Sequence, residues 1–455
     1  VFEPAKQGRW PSQHARYWSA AAVSSEGAAE QFDGTPEEAV DTLSELLHAS
    51  VGRQILADVP VGAFLSGGID SAAVVAIARR VSTQQVETFS IGFEDPALNE
   101  APFARAVAAH LGTRHHELIV TDGTAQAVVP ELPSLYSEPF ADASQIPTAL
   151  VARLARGHVT VALSGDGGDE LFGGYGRYRQ FAVLDRIPPL ARSALANTIR
   201  ALPLRMLNGV GGRVLGVGNP ADKLYKLAEI VALPDRLGLY RGMISHWQRP
   251  SEILEGYEDQ EGFCPMGDFP IRSGSVRLAM DHDLVGYLPA DILTKVDRAA
   301  MSVALETRLP LLDHSIVGFA ARLPDKLLYR DKQSKWPLRQ LVRRYLPSAL
   351  IDRPKMGFAV PLAAWLRGPL RAWAENLLSE QRLGATGLFK VAPIRRAWQQ
   401  HLSGERDFHY RLWSILMLQA WIAHSPSVGR RVPLQAQFTA QHPDIAGSGT
   451  LGRLG

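Results

Sequence analysis

A single cysteine, Cys264, occurs in 455 residues. That scarcity excludes an internal disulfide framework and a multi-cysteine zinc cluster, and it makes a reducing compartment, the cytoplasm, the expected location. Long apolar runs are lacking too: none approaches the roughly 20 residues a membrane helix needs, so no membrane partner is expected. Charge of one sign is not in excess. The 48 Lys and Arg against 46 Asp and Glu leave a formal net charge of +2, which gives no general field for nucleic acid. Any anion must be gripped locally. The chain opens Val-Phe-Glu-Pro without an initiator Met, a signal segment or a basic region, so further sequence upstream is expected.

With 46% apolar and 21% charged residues, the composition is that of an ordinary globular protein, long enough for one large domain with appendages or for two. Residues 1–34, with Trp10, Tyr17 and Trp18 but no clean period, read as an extended connector whose aromatics dock on a neighbour. Thr35-Pro36-Glu37-Glu38 is a capping box with proline at the first helical position, and apolar residues at helical spacing extend the helix over 36–56. Short apolar runs at 59–65, 87–93, 116–120 and 158–163 suit buried parallel strands. A crossover helix over 99–111, capped by Asn99 and stopped at Gly112, alternates with them. The expectation is an α/β fold, a doubly wound parallel sheet over 35–180, followed over 181–424 by a mainly helical part. Helical stretches are predicted near 281–304, 315–323 and 336–345. The text after 425 is poor in apolar residues and reads as a disordered tail over 425–455.

Chemistry concentrates in two glycine loops. Ser66-Gly67-Gly68-Ile69-Asp70-Ser71 joins a predicted strand to a helical run, so free N–H groups at the helix start face any anion bound there. The loop has neither the Walker Gly-x-x-x-x-Gly-Lys-Ser/Thr pattern nor the Rossmann Gly-x-Gly-x-x-Gly pattern. Ser164-Gly165-Asp166-Gly167-Gly168-Asp169-Glu170 follows another predicted strand and runs on through Leu171-Phe172-Gly173-Gly174-Tyr175. Ligands in open α/β sheets bind beyond the carboxyl ends of strands. Acidic side chains from both loops would repel one another without a cation, and Mg2+ is the hard ion that carboxylates and phosphate oxygens coordinate. Asp70 and Asp169 are the metal candidates.

The first hexapeptide resembles the signature loop of the PP-loop ATP pyrophosphatase superfamily, with its adenine nucleotide α-hydrolase-like fold. Its members cleave ATP between the α- and β-phosphates. Both loops together, with the block from Asp297-Arg298 to Glu306-Thr307-Arg308-Leu309-Pro310-Leu311-Leu312-Asp313-His314, with Lys335-Trp336-Pro337-Leu338-Arg339 and with Arg353-Pro354-Lys355-Met356-Gly357-Phe358, resemble the synthetase domain of glutamine-hydrolysing asparagine synthetases. The similarity covers residues 40 to 420. It implies an ATP-dependent carbon–nitrogen ligase of asparagine biosynthesis: a carboxylate is adenylated and ammonia then converts it to an amide, leaving AMP and pyrophosphate.

Carried over by position, the resemblance implies that Leu65 and Ile91 flank adenine, that Ser66, Gly67, Gly68, Asp70 and Ser71 hold pyrophosphate and metal, and that Ser164, Gly165 and Asp166 contact nucleotide or intermediate. Lys335 would stabilise charge on the α-phosphate. Glu170 would accept a proton from the attacking ammonium or complete the metal shell, and the residues alone leave both roles open. Arg308 and Asp313 are expected to form a buried pair or line a route between sites. His115 and His116 read as strand-entry residues, since no partner completes metal-ligand spacing.

Two departures qualify the resemblance. The family's glutaminase domain, which begins with a cysteine, has no counterpart here, and Cys264 in Gly262-Phe263-Cys264-Pro265 reads as structural. Ammonia would come free or from a glutaminase domain or chain, and a homodimer is an open option. Dedicated family members also carry an arginine just before the second loop to hold aspartate. The corresponding residues 138–148, Glu138-Pro139-Phe140-Ala141-Asp142-Ala143-Ser144-Gln145-Ile146-Pro147-Thr148, contain no cation. The acceptor is then aspartate by family resemblance, or alternatively a uronic acid or a specialised metabolite; a non-catalytic subunit is a further alternative. A tRNA-thiolating enzyme would need paired cysteines and a basic RNA surface that this chain lacks.

Overall fold

The computed structural model describes residues 17–202, 220–259, 274–331, 333–352 and 360–425. Cys264, the 353–358 block, the tail after 425 and the first part of the connector therefore lie outside the described residues. The chain divides into two compact units.

The first unit comprises Val1–Ala125, Ser144–Gln248 and Gln260–Val360. Its sheet has five strands in the order β3-β2-β1-β4-β5, all parallel: β1 Val61–Phe64, β2 Glu87–Phe93, β3 Arg114–Val120, β4 Val161–Leu163 and β5 Glu306–Arg308. With the helices between strands this is the doubly wound α/β arrangement expected, accompanied by a large helical part. One element differs from expectation. The Glu306-Thr307-Arg308 stretch, assigned to the helical half, is a strand, because backbone pairing with β4 outweighs a local pattern too short to reveal it. The connector also differs, since α1, Ala20–Ala29, is helical and Ser24 donates to Asp281 at 2.9 Å. Tyr17 is fully exposed.

Local rules hold elsewhere. Helix α2, Pro36–Gln54, starts with the reciprocal capping box: Glu38 N–H donates to Thr35 Oγ1 at 3.2 Å, and Thr35 N–H donates to the Glu38 carboxylate at 2.7 Å. Helix α3, Ile69–Val81, follows β1 directly. Helix α4, Ala101–Leu111, is preceded by Asn99, whose side chain accepts from Ala101 N–H, and ends on left-handed Gly112. Leu43, Leu47 and Val51 of α2 meet Val74, Val75 and Ile77 of α3 in one core cluster. That cluster also takes Leu338, Leu341 and Val342 from a helix far along the chain, Trp336–Arg343. Burying such side chains contributes about 1.5–3 kcal/mol each, and it is this packing that carries a distant helix to the sheet.

The second unit comprises Gln126–Ala143, Arg249–Asp259 and Pro361–Gly455. Among its described residues, helices such as Val391–Leu402 and His409–His424 enclose the fully buried Trp365, Trp398 and Trp413.

Candidate active site

Strands β1 and β4 are neighbours, yet the chain leaves β1 toward β2 on one side, and β5 lies beyond β4 on the other. Strand order reverses between them, and the crevice beyond such a switch point is where open α/β sheets bind ligands. Residues 66–71 and 164–169 follow these two strands, so both glycine loops border that point.

The loops touch. A Cβ on Gly165 would lie 2.6 Å from the Ser71 nitrogen, so only glycine lets the second loop rest on the first turn of α3. Gly68 is the N-cap of α3 and offers no side chain to that helix's first N–H groups, the arrangement that receives an anion. The hydroxyls of Ser66 and Ser71 lie 3.2 Å apart, Gly68 N–H donates to Ser66 Oγ at 3.2 Å, and Ser71 Oγ donates to Gly68 O at 3.2 Å. These bonds hold the turn in shape. Leu65 and Ile91 are buried, at 1% and 4% exposure.

Asp70 opens α3, and Asp169 opens a short helix, α5, Gly168–Phe172. Lys335 Nζ lies 2.5 Å from Asp70 Oδ2 and 2.7 Å from Asp169 Oδ1. The lysine is 5% exposed and precedes the Trp336–Arg343 helix at φ 54°, ψ 37°. A non-glycine residue held there carries about 1–2 kcal/mol of strain, which packing of that helix on α2 and α3 sustains. Burial opposes charge on Lys335, but Asp169 and Asp70 outweigh it and hold the ammonium above its ordinary pKa. A Cβ on Gly174 would overlap Asp169 and the Lys335 Cε, so glycine is what lets the lysine in. The cation that the acidic loops require is thus supplied by the chain itself.

Two carboxylates converging from facing loops also suit Mg2+, which takes one or two carboxylates and completes its shell with water and phosphate oxygens. Among the described residues, no group of three or more His, Cys, Asp or Glu side chains is set to hold a metal alone.

Glu170 is 2% exposed. Burial first, then the neighbouring Asp169 charge, push its carboxyl up to about 7, against the Tyr175 hydroxyl, which donates to it at 2.7 Å. Tyr175 in turn stacks beneath Arg177, whose guanidinium lies 3.9 Å from its ring centroid and 2.6 Å from Asp283. Asp283 begins a π-helix, Asp283–Leu293, and also accepts from Tyr178 at 2.7 Å. Ser164 Oγ donates to Asp166 at 2.6 Å, while loss of water around Asp166 raises its pKa.

One expectation requires correction. Arg308 and Asp313 do not pair. Arg308 binds Glu306 at 2.7 Å and the carbonyls of Gln54 and Leu56, whereas Asp313 binds Arg53 at 2.6 Å. Arg308 ends β5 whereas Asp313 caps the helix His314–Arg322, so the two side chains meet separate partners. His115 and His116, by contrast, stand at the entry of β3 as expected, its second and third residues: His115 bonds Thr88 and Ser90, and His116 bonds Glu87 at 2.6 Å.

Sequence reasoning passed over Tyr175, Arg177, Asp283 and Lys295. Lys295 had a signal: it stands with Val296, Ala299 and Ala300 on the buried face of the helix Thr294–Met301, where a lysine is unusual.

A family model described as asparagine synthase matches residues 42–423. The chain belongs to the asparagine synthase family. A putative glutamine-hydrolyzing asparagine synthetase of Mycobacterium tuberculosis is 34% identical over 391 residues, covering 84% of this chain and 57% of that protein. Glutamine-hydrolyzing asparagine synthetase 1 of Bacillus subtilis is 29% identical over 403 residues, covering 87% and 60%. An amidase of Penicillium rubens is 24% identical over 387 residues, covering 77% and 56%. The chain spans less than two thirds of the length of these relatives. The asparagine synthase match includes both glycine loops, Lys295 and Lys335.

Proposed function

We propose that the crevice between β1 and β4 activates a carboxylic acid with ATP as an acyl-adenylate, which ammonia then converts to an amide. The observation that carries this reading is the meeting of Asp70, Asp169 and Lys335 where the two glycine loops touch. Phosphoryl transfer needs positioning and charge stabilisation more than covalent help, and this cluster can provide both.

In the proposed step the acceptor carboxylate attacks the α-phosphorus and the bond to the β-phosphate breaks. Residues 66–71 hold the departing pyrophosphate through backbone N–H groups and the two serine hydroxyls. Asp70 and Asp169 would hold Mg2+, which supplies neutralising charge to the phosphates. Lys335 turns from its carboxylates toward the charge that develops on the α-phosphate. Ser164, Gly165 and Asp166 face the nucleotide or intermediate, with Leu65 and Ile91 beside adenine. Ammonia then adds to the acyl carbon, Glu170, poised near neutrality, takes a proton from the added nitrogen, and AMP departs as the amide forms. Aspartate is the acceptor by family resemblance, asparagine the product, and ammonia comes from glutamine through a glutaminase domain or chain, in the cytoplasm.

Acid-dependent pyrophosphate release is the test. Asp70→Asn and Lys335→Ala are each expected to abolish it, by at least about a hundredfold for loss of a preorganised charge, while circular dichroism shows the fold retained. Release at the wild-type rate from both folded variants would refute the site.

A further inference from the structure

Tyr175 is the one bulky side chain in Gly173-Gly174-Tyr175-Gly176. Gly173 is left-handed at φ 71°, and with glycine on both sides of the tyrosine the local chain does not fix where the phenol points. Its direction is set all the same, since the hydroxyl donates to the Glu170 carboxylate at 2.7 Å. The restraint comes from other parts of the fold. Arg177 lies over the ring with its guanidinium 3.9 Å from the centroid. The rings of Tyr178 and Tyr287 meet that of Tyr175 in edge-to-face geometry, at 5.5 Å and 6.0 Å between centroids.

Arg177 is itself anchored. Its Nη2 donates to Asp283 Oδ2 at 2.6 Å and its Nε to the Tyr240 hydroxyl at 3.1 Å, and its guanidinium also lies 4.4 Å from the Tyr287 centroid. Asp283 is fully buried and takes the Tyr178 hydroxyl on the same oxygen at 2.7 Å. Asp283 and Tyr287 both belong to the π-helix Asp283–Leu293. Bonds in such a helix run from i to i+5, so residues four apart stand on nearly one face, and π-helical turns recur at functional sites. The widened helix thus presents a carboxylate and a ring to one guanidinium. A cation over an aromatic face is attracted to it and draws electron density from the ring, which strengthens a phenol as a donor.

Resting on the adenylation reading, we propose that Arg177, clamped by Asp283 and Tyr287, is a positioning residue for the amide-forming step: it fixes the Tyr175 ring, whose hydroxyl aims the Glu170 carboxylate at the added nitrogen. Without Arg177 the ring is free to swing, and Glu170 loses a donor together with the ring beside it. Adenylation is carried instead by the loops around Asp70, Asp169 and Lys335, so the two half-reactions respond to Arg177 differently.

Two rates of the full chain separate them, with ATP, Mg2+ and L-aspartate. ATP–pyrophosphate exchange without ammonium reports adenylation, and amide formation with saturating ammonium reports both steps. Arg177→Met should lower kcat for amide formation about tenfold, part of what a positioned base contributes, while exchange and the KM for ATP stay far closer to wild type. Arg177→Lys, which keeps the cation without the planar fork, should recover part of the loss. Removing one partner of a buried ion pair is strongly destabilising. If thermal unfolding shows Arg177→Met misfolded, Tyr287→Leu decides: it takes one ring from the guanidinium, keeps the ion pair, and should lower amide formation with the same selectivity by a smaller factor. Equal falls in exchange and amide formation would make Arg177 a structural support alone and overturn the inference. Unaltered amide formation in the variant that folds, or Arg177→Lys no better than Arg177→Met, would overturn it too, and adenylation would stand in each case. No exchange by the wild type would sink adenylation itself, and this inference with it.

Discussion

Glu170 shows how much one carboxyl depends on its surroundings. At about 7 it titrates inside the working range of the proposed reaction. The ammonia-dependent rate should rise as pH passes about 7 and Glu170 gives up its proton, and Glu170→Gln should remove that limb of the pH profile. Tyr175→Phe deletes the hydroxyl that favours the carboxylate, so the limb should move to higher pH, with little change in the plateau. Stability has the opposite slope. Between the ordinary carboxylate range and about 7 the folded chain keeps a proton that the unfolded chain releases, so the Glu170 contribution declines as pH rises through that window. Urea midpoints of wild type and Glu170→Gln, compared at both ends of it, should converge at the acidic end. A profile for Glu170→Gln that matches the wild type would rule out its role as the titrating base.

Single elements carry their own tests. Gly174 lies where any side chain would overlap Asp169 and Lys335, so Gly174→Ala should displace the lysine. A loss of about 1–3 kcal/mol from overpacking is expected in chemical denaturation, with pyrophosphate release falling further than stability. Thr35→Ala, by contrast, breaks a capping box remote from the chemistry. It should cost about 1 kcal/mol and leave the KM for ATP as it was. The strained Lys335 backbone holds its conformation only while Trp336, Leu338, Leu341 and Val342 stay packed in the core.

In the first unit as a whole, contacts distant in sequence tie the helical part to the sheet. Ser50 donates to the Pro310 carbonyl at 2.8 Å, Arg344 meets Asp41 at 2.6 Å, and Arg53 meets Asp313 at 2.6 Å. Asp313 is partly desolvated, yet the Arg53 hydrogen bond and the Ser315 N–H outweigh this and hold its pKa below the ordinary value. A depressed carboxylate stabilises the fold above its unfolded pKa and loses that contribution as pH falls through the folded one. Asp313→Asn should therefore lower the thermal midpoint at neutral pH, and the difference from wild type should vanish in acid. A gap that persists below the carboxylate range would assign the effect to packing instead of charge.

Much of this molecule is written in short windows. The capping box at Thr35, the glycine at Gly112, the apolar runs of β1 to β4 and both glycine loops are local signals, since turn geometry, cap bonds and strand burial depend on residues close together in the chain. The doubly wound fold and its family could be read from them. What no window contains is partnership across hundreds of positions. That Lys335 balances Asp70 and Asp169, that Lys295 reaches Ser144, that Arg308 and Asp313 part company and that residues 306–308 complete the sheet all follow from packing. Burial sets the pKa of Glu170 in the same way. Sequence alone determined which groups are present and which local turns they make; the tertiary structure decided which charges face one another, because Coulombic and desolvation energies depend on distance and burial in space and not on separation along the chain.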